Sequence, residues 1–200
     1  MNNLVDGEFN LLCPLVGGTK MHFSGTGTLH VASTQTTNAN ATLVLGGGLR
    51  FTSDGFRTVT AEGSANRISI VVEGAGATFA AERDWTYGPE PGLETTTVAA
   101  DRALVIREGA TLRIAAGAHK VMFADPIAGY GKMAFDPGAQ IGLAGELFES
   151  CKTAWTPFAT VLEVEGDPAV AGCAVRAVPL GNGLTELQAK LQVGMRIILR

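Results

Sequence analysis

The chain is sparing with charge. Only 17% of its 200 residues are Asp, Glu, Lys or Arg, and the net charge is -4. That balance offers no basic footprint for nucleic acid or an anionic membrane, so neither is expected as a partner. Aromatic residues are scarce too, with two Trp and two Tyr. There are three cysteines, Cys13, Cys151 and Cys173. They show no CxxC or Cys/His spacing, so no zinc or other metal cofactor is expected. They are either buried free thiols or a Cys151–Cys173 disulfide with Cys13 left over, and they do not settle the redox compartment. No apolar run reaches membrane-spanning length, so no membrane insertion is expected. The start, MNNLVDGEFNLLCPLVGG, lacks the basic region and long apolar core of a signal peptide. The chain is then either cytoplasmic or a fragment whose export signal has been removed. GxSxG, HExxH and a defensible Ser-His-Asp set are all missing, so no catalytic residue is assigned. The glycine triplet Gly46–Gly48 lacks a following Lys-Ser/Thr and a helix, and reads as a corner rather than a phosphate loop.

What the chain has is glycine, 26 of them, and 46% apolar residues. This combination favours an all-β chain with many tight turns. One phrase recurs: apolar, any, apolar, any, any, Gly, Ala. It occurs at Leu104–Ala110, Leu112–Ala118 and Met133–Ala139, and an irregular version occupies Arg67–Ala80. Strand-turn-strand units begin near Leu43, Ile70, Leu104 and Met133, at spacings of 27, 34 and 29 residues. An imperfect period of that size is the signature of a solenoid. It predicts that 104–106 and 133–135 neighbour each other in one sheet. It also places Leu104, Ile106, Leu112, Ile114, Met133, Phe135, Ile141 and Leu143 inward, stacked in columns.

Strands are also expected at Phe9–Val16, Lys20–Ser24, Gly27–Ala32, Arg57–Ala61, Phe158–Glu165 and Ala171–Val178. His22 and His30 alternate with apolar neighbours and belong on outward faces. His119 follows a Gly-Ala turn and belongs at a surface corner. The tail from Leu187 alternates apolar and polar residues as far as Leu199, which favours a strand over a helix. Its apolar side suits it to cap an open end or to join two copies of the chain.

The stretch Glu82–Glu94, ERDWTYGPEPGLE, interrupts the period, and insertions in solenoids map to loops. Trp85 and Tyr87 stand there beside Glu82 and Asp84, a grouping suited to stacking on a sugar ring while carboxylates accept hydroxyl hydrogen bonds. These four form the candidate ligand-binding site. The plainer alternative is that Trp85 folds back over the coil and the charges stay solvated. Glycosidase chemistry from paired carboxylates is a further alternative.

The series centred on Gly129-Tyr130-Gly131-Lys132-Met133-Ala134-Phe135 and Gly138-Ala139-Gln140-Ile141-Gly142-Leu143 resembles the autotransporter-associated β-strand repeats of bacterial secreted and surface proteins. The likeness runs loosely over residues 25–200 and most specifically over 103–145. It implies a right-handed parallel β-helix used as a structural or adhesive stalk, on the cell surface or secreted as part of a longer exported chain. It carries no catalytic residues across. The expected fold is therefore a right-handed parallel β-helix of about five or six turns over residues 1–157, with a C-terminal strand segment, 158–200, packing on or capping it. The alternative is a jelly roll or other antiparallel β-sandwich. The expected function is a scaffold or adhesive module. The alternatives are a carbohydrate-binding module with a glycan partner, or a polysaccharide-active β-helix enzyme.

Overall fold

The structure is a computed structural model, and it describes residues 2–11, 21–31, 42–46, 48–53, 69–82, 85–87, 104–128 and 131–192. Its strands in chain order are β1 (Asn2–Leu4), β2 (Glu8–Leu11), β3 (Met21–Ser24), β4 (Thr28–Val31), β5 (Thr42–Leu45), β6 (Arg50–Ser53), β7 (Ser69–Val72), β8 (Thr78–Ala81), β9 (Trp85–Tyr87) and β10 (Leu104–Ile106). There follow β11 (Thr111–Ile114), β12 (Val121–Phe123), β13 (Ile127–Ala128), β14 (Lys132–Phe135) and β15 (Ile141–Leu143). The helix α1 (Gly145–Cys151) precedes β16 (Thr156–Val161), β17 (Glu163–Glu165), β18 (Cys173–Pro179) and β19 (Thr185–Leu191).

The fold is all-β, and its pairing is mostly parallel. The first sheet runs β1-β3-β5-β7-β10, the second β17-β14-β11-β8-β6-β4-β2, and the third β15-β12-β9. Every pairing in these three is parallel. Up to β8 the described chain alternates between the first and second sheets, and from β8 it visits the third as well. The fourth sheet, β13-β16-β19-β18, begins with a parallel pair and continues as antiparallel pairs. Among the described strands, antiparallel pairing is confined to that sheet, so a jelly roll is not what they form. The longest sheet has seven strands.

Two of the three expected spacings are register pairs. Leu43 lies opposite Ile70, and Ile70 opposite Leu104. The third is a correction. Residues 104–106 belong to the first sheet, whereas Met133 and Phe135 lie opposite Leu112 and Ile114 in the second. The reason is that the phrase marks corners of two kinds. At 104–110 it turns the chain from the first sheet into the second. At 112–118 and 133–139 it turns from the second into the third. The true partner of a phrase is the next one at the same corner, and Leu112 to Met133 is a step of 21 residues.

The chemistry of the corner explains why both kinds look alike. The Ala110 N–H donates to Arg107 O at 3.0 Å with Gly109 at φ 82°, and the Ala139 N–H donates to Asp136 O at 2.9 Å with Gly138 at φ 80°. Both fit a type II turn, whose third residue needs positive φ and hence glycine. The alanine that follows is buried in each case, as is Ala77 at the preceding corner. A methyl is what fits the inside of so tight a bend. Corner residues are also tied from one level to the next. Thr28, Arg50, Thr78, Thr111 and Lys132 donate their N–H groups to the carbonyls of Gly7, Gly27, Leu49, Ala77 and Ala110 at 2.9–3.0 Å. Each of these five amides thus has a backbone partner, as a dry interior requires.

Side chains follow the expected alternation. Ile106, Leu112, Ile114, Met133, Phe135, Ile141 and Leu143 are all buried. Leu29, Phe51, Phe79, Leu112 and Met133 form one inward column through the second sheet, with the Phe51 and Phe79 rings stacked at 5.4 Å. Phe123 leans toward Phe158, at 6.5 Å between centroids, and so joins the parallel part to the fourth sheet.

The C-terminal region departs from expectation in two places. The predicted strand 158–165 is two strands, broken at Leu162: β16 joins the fourth sheet and β17 joins the second. Leu162 N–H donates to Gly131 O at 3.0 Å, so it occupies one more corner. The tail strand is Thr185–Leu191, with Leu187 and Ala189 buried as the alternation requires. Arg57–Ala61 and Val193–Arg200 lie outside the described residues.

Candidate functional site

The stretch taken from sequence as a loop contains a strand. β9 supplies a level of the third sheet, with Trp85 opposite Val121 and Tyr87 opposite Phe123. Tyr87 is half-buried, packs against the core, and meets Phe123 edge-on at 6.2 Å between ring centroids. One side of its ring is therefore committed to packing, which an edge-to-face pair strengthens. Glu82, just before the strand, is half-buried and forms an ion pair with Arg50 on β6. Asp84 and 88–94 lie outside the described residues, as does the Trp85 side chain. Among the described members of the predicted ligand set, Tyr87 and Glu82 both have partners within the fold.

The outward face of the second sheet carries two further sets of paired charges. Arg113 holds Asp136 with two hydrogen bonds, Nε to Oδ1 at 2.8 Å and Nη2 to Oδ2 at 3.0 Å. Hydrogen bonding to Arg113 keeps the Asp136 carboxyl below the usual range, against an opposing effect of burial. Lys132 reaches Glu163 and Glu165, each at 2.9 Å, and these bonds raise its pKa. Each pair joins residues 23 to 33 apart in sequence that occupy adjacent strands or adjacent corners. The signal that would have found them is the register: Lys132 lies opposite Glu163.

The histidines also have structural surroundings. His30 Nδ1 lies 2.6 Å from the hydroxyl of Thr52, the residue opposite it on β6. His119 lies over Gly117, so that a Cβ there would meet its Nδ1 at 2.7 Å. Among the described residues, no group of three or more His, Cys, Asp or Glu is placed to hold a metal ion. No described helix is long and apolar enough to cross a membrane.

Cys151 and Cys173 are brought together. Both are free thiols, and Cys151 acts on the Cys173 thiol. Cys151 is the last residue of α1 and is fully buried; Cys173 opens β18 and is half-buried. Cys13 lies outside the described residues.

Comparison with protein-family models, with curated proteins and with solved structures finds no match to this chain.

Proposed function

We propose that the chain is a right-handed parallel β-helix and serves as a structural or adhesive scaffold module of a bacterial secreted or surface protein, of the autotransporter-associated repeat type. The observation that carries this reading is the corner ladder of the second sheet. Five successive links join its six strands from β2 to β14, each from the carbonyl before one strand to the first amide of the next at 2.9–3.0 Å. With strands about 4.8 Å apart, seven levels make a rod about 29 Å long. Arg50, Arg113 and Lys132, each paired with a carboxylate one level away, favour a rod that keeps its shape over a cleft that gathers a substrate. The polar and apolar residues are thus spent on stacking, as a spacer or stalk requires.

The test combines surface retention and turnover. Beads coated with purified protein would be passed over glycan arrays and host-cell surfaces, and the same protein incubated with polysaccharides while reducing ends are counted. Retention on surfaces with no glycan selectivity and no turnover is the expected result. Selective glycan binding without turnover would replace the proposal with a carbohydrate-binding module, and release of reducing ends would replace it with a polysaccharide-active enzyme.

A further inference from the structure

The end of the chain opposite β1 and β2 holds two thiols that no part of the scaffold reading uses. Cys151 closes α1, and its Sγ–H donates to the Phe148 carbonyl at 3.0 Å within the same helix. Cys173 starts β18, lies opposite Leu191 of β19, and packs against the core cluster to which Cys151 belongs. The two side chains are near enough for Cys151 to act on the Cys173 thiol. Both supporting elements are anchored to the same strand. α1 packs on β19, and the Gln192 N–H just past β19 donates to Gly172 O at 3.1 Å. The sulfurs are therefore held together by the fold rather than by a chance surface encounter.

We propose that Cys151 and Cys173 are a dithiol/disulfide site, oxidised by small-molecule disulfides to a bond that fastens α1 to the β18–β19 hairpin.

The accessible partner reacts first. Cys173 is half-exposed, whereas Cys151 is sealed from solvent, so a reagent meets Cys173. Its thiolate attacks one sulfur of the small disulfide, forming a mixed disulfide and releasing one small thiolate. The Cys151 sulfur, on losing its proton, then attacks Cys173 Sγ, and the second small thiolate leaves. Two protein S–H bonds are lost and one S–S bond forms. The two electrons reduce the small disulfide to two thiols, which take up the two protons. Burial, with the neighbouring Cys151, pushes the Cys173 thiol up to about 11. The thiolate is then scarce at neutral pH, which slows the first step. The bond closes a short segment, and locking it raises the midpoint of thermal unfolding by roughly 6–12 °C in a protein of this size.

The experiment uses the whole chain, fully reduced, incubated natively with oxidised glutathione and then alkylated, digested with trypsin and mapped by mass. Cleavage after Lys20, Lys132, Lys152 and Arg176 places Cys13, Cys151 and Cys173 on three different peptides. The expected product lacks two hydrogens, contains a cross-link between 133–152 and 153–176, melts higher by the stated amount, and reverts with dithiothreitol. Cys151→Ala should instead retain glutathione on Cys173. The proposal is overturned if glutathione stays on Cys173 of the unmodified chain while Cys151 is still alkylated, if neither thiol reacts, if the cross-link involves Cys13, or if it forms only in urea. Should Cys151→Ala fail to fold, the peptide map of the unmodified chain decides alone.

Discussion

Replacing Gly131 with Ala should be a damaging single-methyl change at the corner ladder. A Cβ built there would lie 2.3 Å from the Ile106 side-chain methyl Cγ2 and 2.7 Å from the carbonyl oxygens of Arg107 and Ala110. None of these atoms is free to retreat. Ile106 is buried in the core, Arg107 O accepts the turn bond from Ala110 N–H at 3.0 Å, and Ala110 O accepts from Lys132 N–H at 2.9 Å. Overpacking of this kind costs about 1–3 kcal/mol, and weakening one of those backbone bonds adds about 1 kcal/mol. A total near ~3 kcal/mol lowers the thermal midpoint by roughly 6–12 °C in a chain of this size.

Two other glycines separate crowding from backbone strain. Gly138 has φ 80°, and no atom lies within 4 Å of where its Cβ would sit, so Gly138→Ala should cost only the strain of the left-handed conformation, about 1–2 kcal/mol. Gly181 has open space and lies outside the left-handed region, so Gly181→Ala should be neutral or stabilising by up to ~1 kcal/mol through the unfolded chain. Urea unfolding with the slope held constant across the series measures all three. If Gly131→Ala lies within about 0.5 kcal/mol of the parent chain, at the scale of an ordinary surface change, or costs no more than Gly138→Ala, the close stacking of this corner is refuted.

Phe51→Ala, which removes one ring of the buried stack with Phe79, should cost about 3–5 kcal/mol in chemical denaturation, and a loss under ~1 kcal/mol would contradict the inward column. Asp136→Asn should cost about 0.5–1 kcal/mol at pH 7, the scale of a largely exposed bidentate pair. Because Arg113 depresses the Asp136 pKa in the folded state, this stability is present above the unfolded carboxylate value and lost as pH falls through the lower folded value. Parent and variant curves should therefore converge on acidification, below the lowered folded value; a gap that widens on acidification would reverse the assignment. Tyr87→Ala should lower stability by about 1–3 kcal/mol because its ring packs on Phe123. Loss of glycan retention with unchanged stability would instead make Tyr87 a binding residue.

Much of the architecture could be read from the sequence because its unit is a covalent necessity. A sharp bend with positive φ calls for glycine, and the buried residue after it must be small, so Gly-Ala marks corners wherever they fall. Alternation then orients the strands, which is why Ile106, Leu112, Ile114, Met133, Phe135, Ile141 and Leu143 were identifiable as core. The same necessity concealed the register. Corners leading into the second sheet and corners leading into the third obey one rule, so Leu104 and Met133 looked equivalent when Leu112 was the true counterpart. The third sheet was missed for a related reason. Its strands are only three residues long, so a pair such as Ile141 and Leu143 marks an inward face without marking a separate sheet, and β9 was hidden in a segment whose Pro and Glu content suggested a loop. The candidate site was less legible still. Sequence shows that Glu82 and Tyr87 are near each other, but not that Arg50 and Phe123, each more than thirty residues away, claim them.

The two ends of the parallel sheets are built differently, and the difference bears on how such sheets end. At one end, β1 and β2 are the outermost described strands of their sheets, and Leu4 and Phe9 are exposed there at 73% and 51%. At the other, β17 is the outermost described strand of the second sheet. Its exposed residues Glu163 and Glu165 are both drawn to Lys132 on the strand beneath. Charged side chains on a short edge strand discourage another strand from pairing with it. Beside it, α1 buries Leu147 and Cys151, and β16 leaves parallel pairing with β13 for antiparallel pairing with β19. A strand added beyond β19 would meet β18, which already occupies that edge through seven register pairs. In the coil reading, growth is thus blocked at the C-terminal end by charge, by a change of pairing direction and by a packed helix. The same helix and hairpin carry Cys151 and Cys173, so oxidation would lock the part of the molecule on which that termination depends.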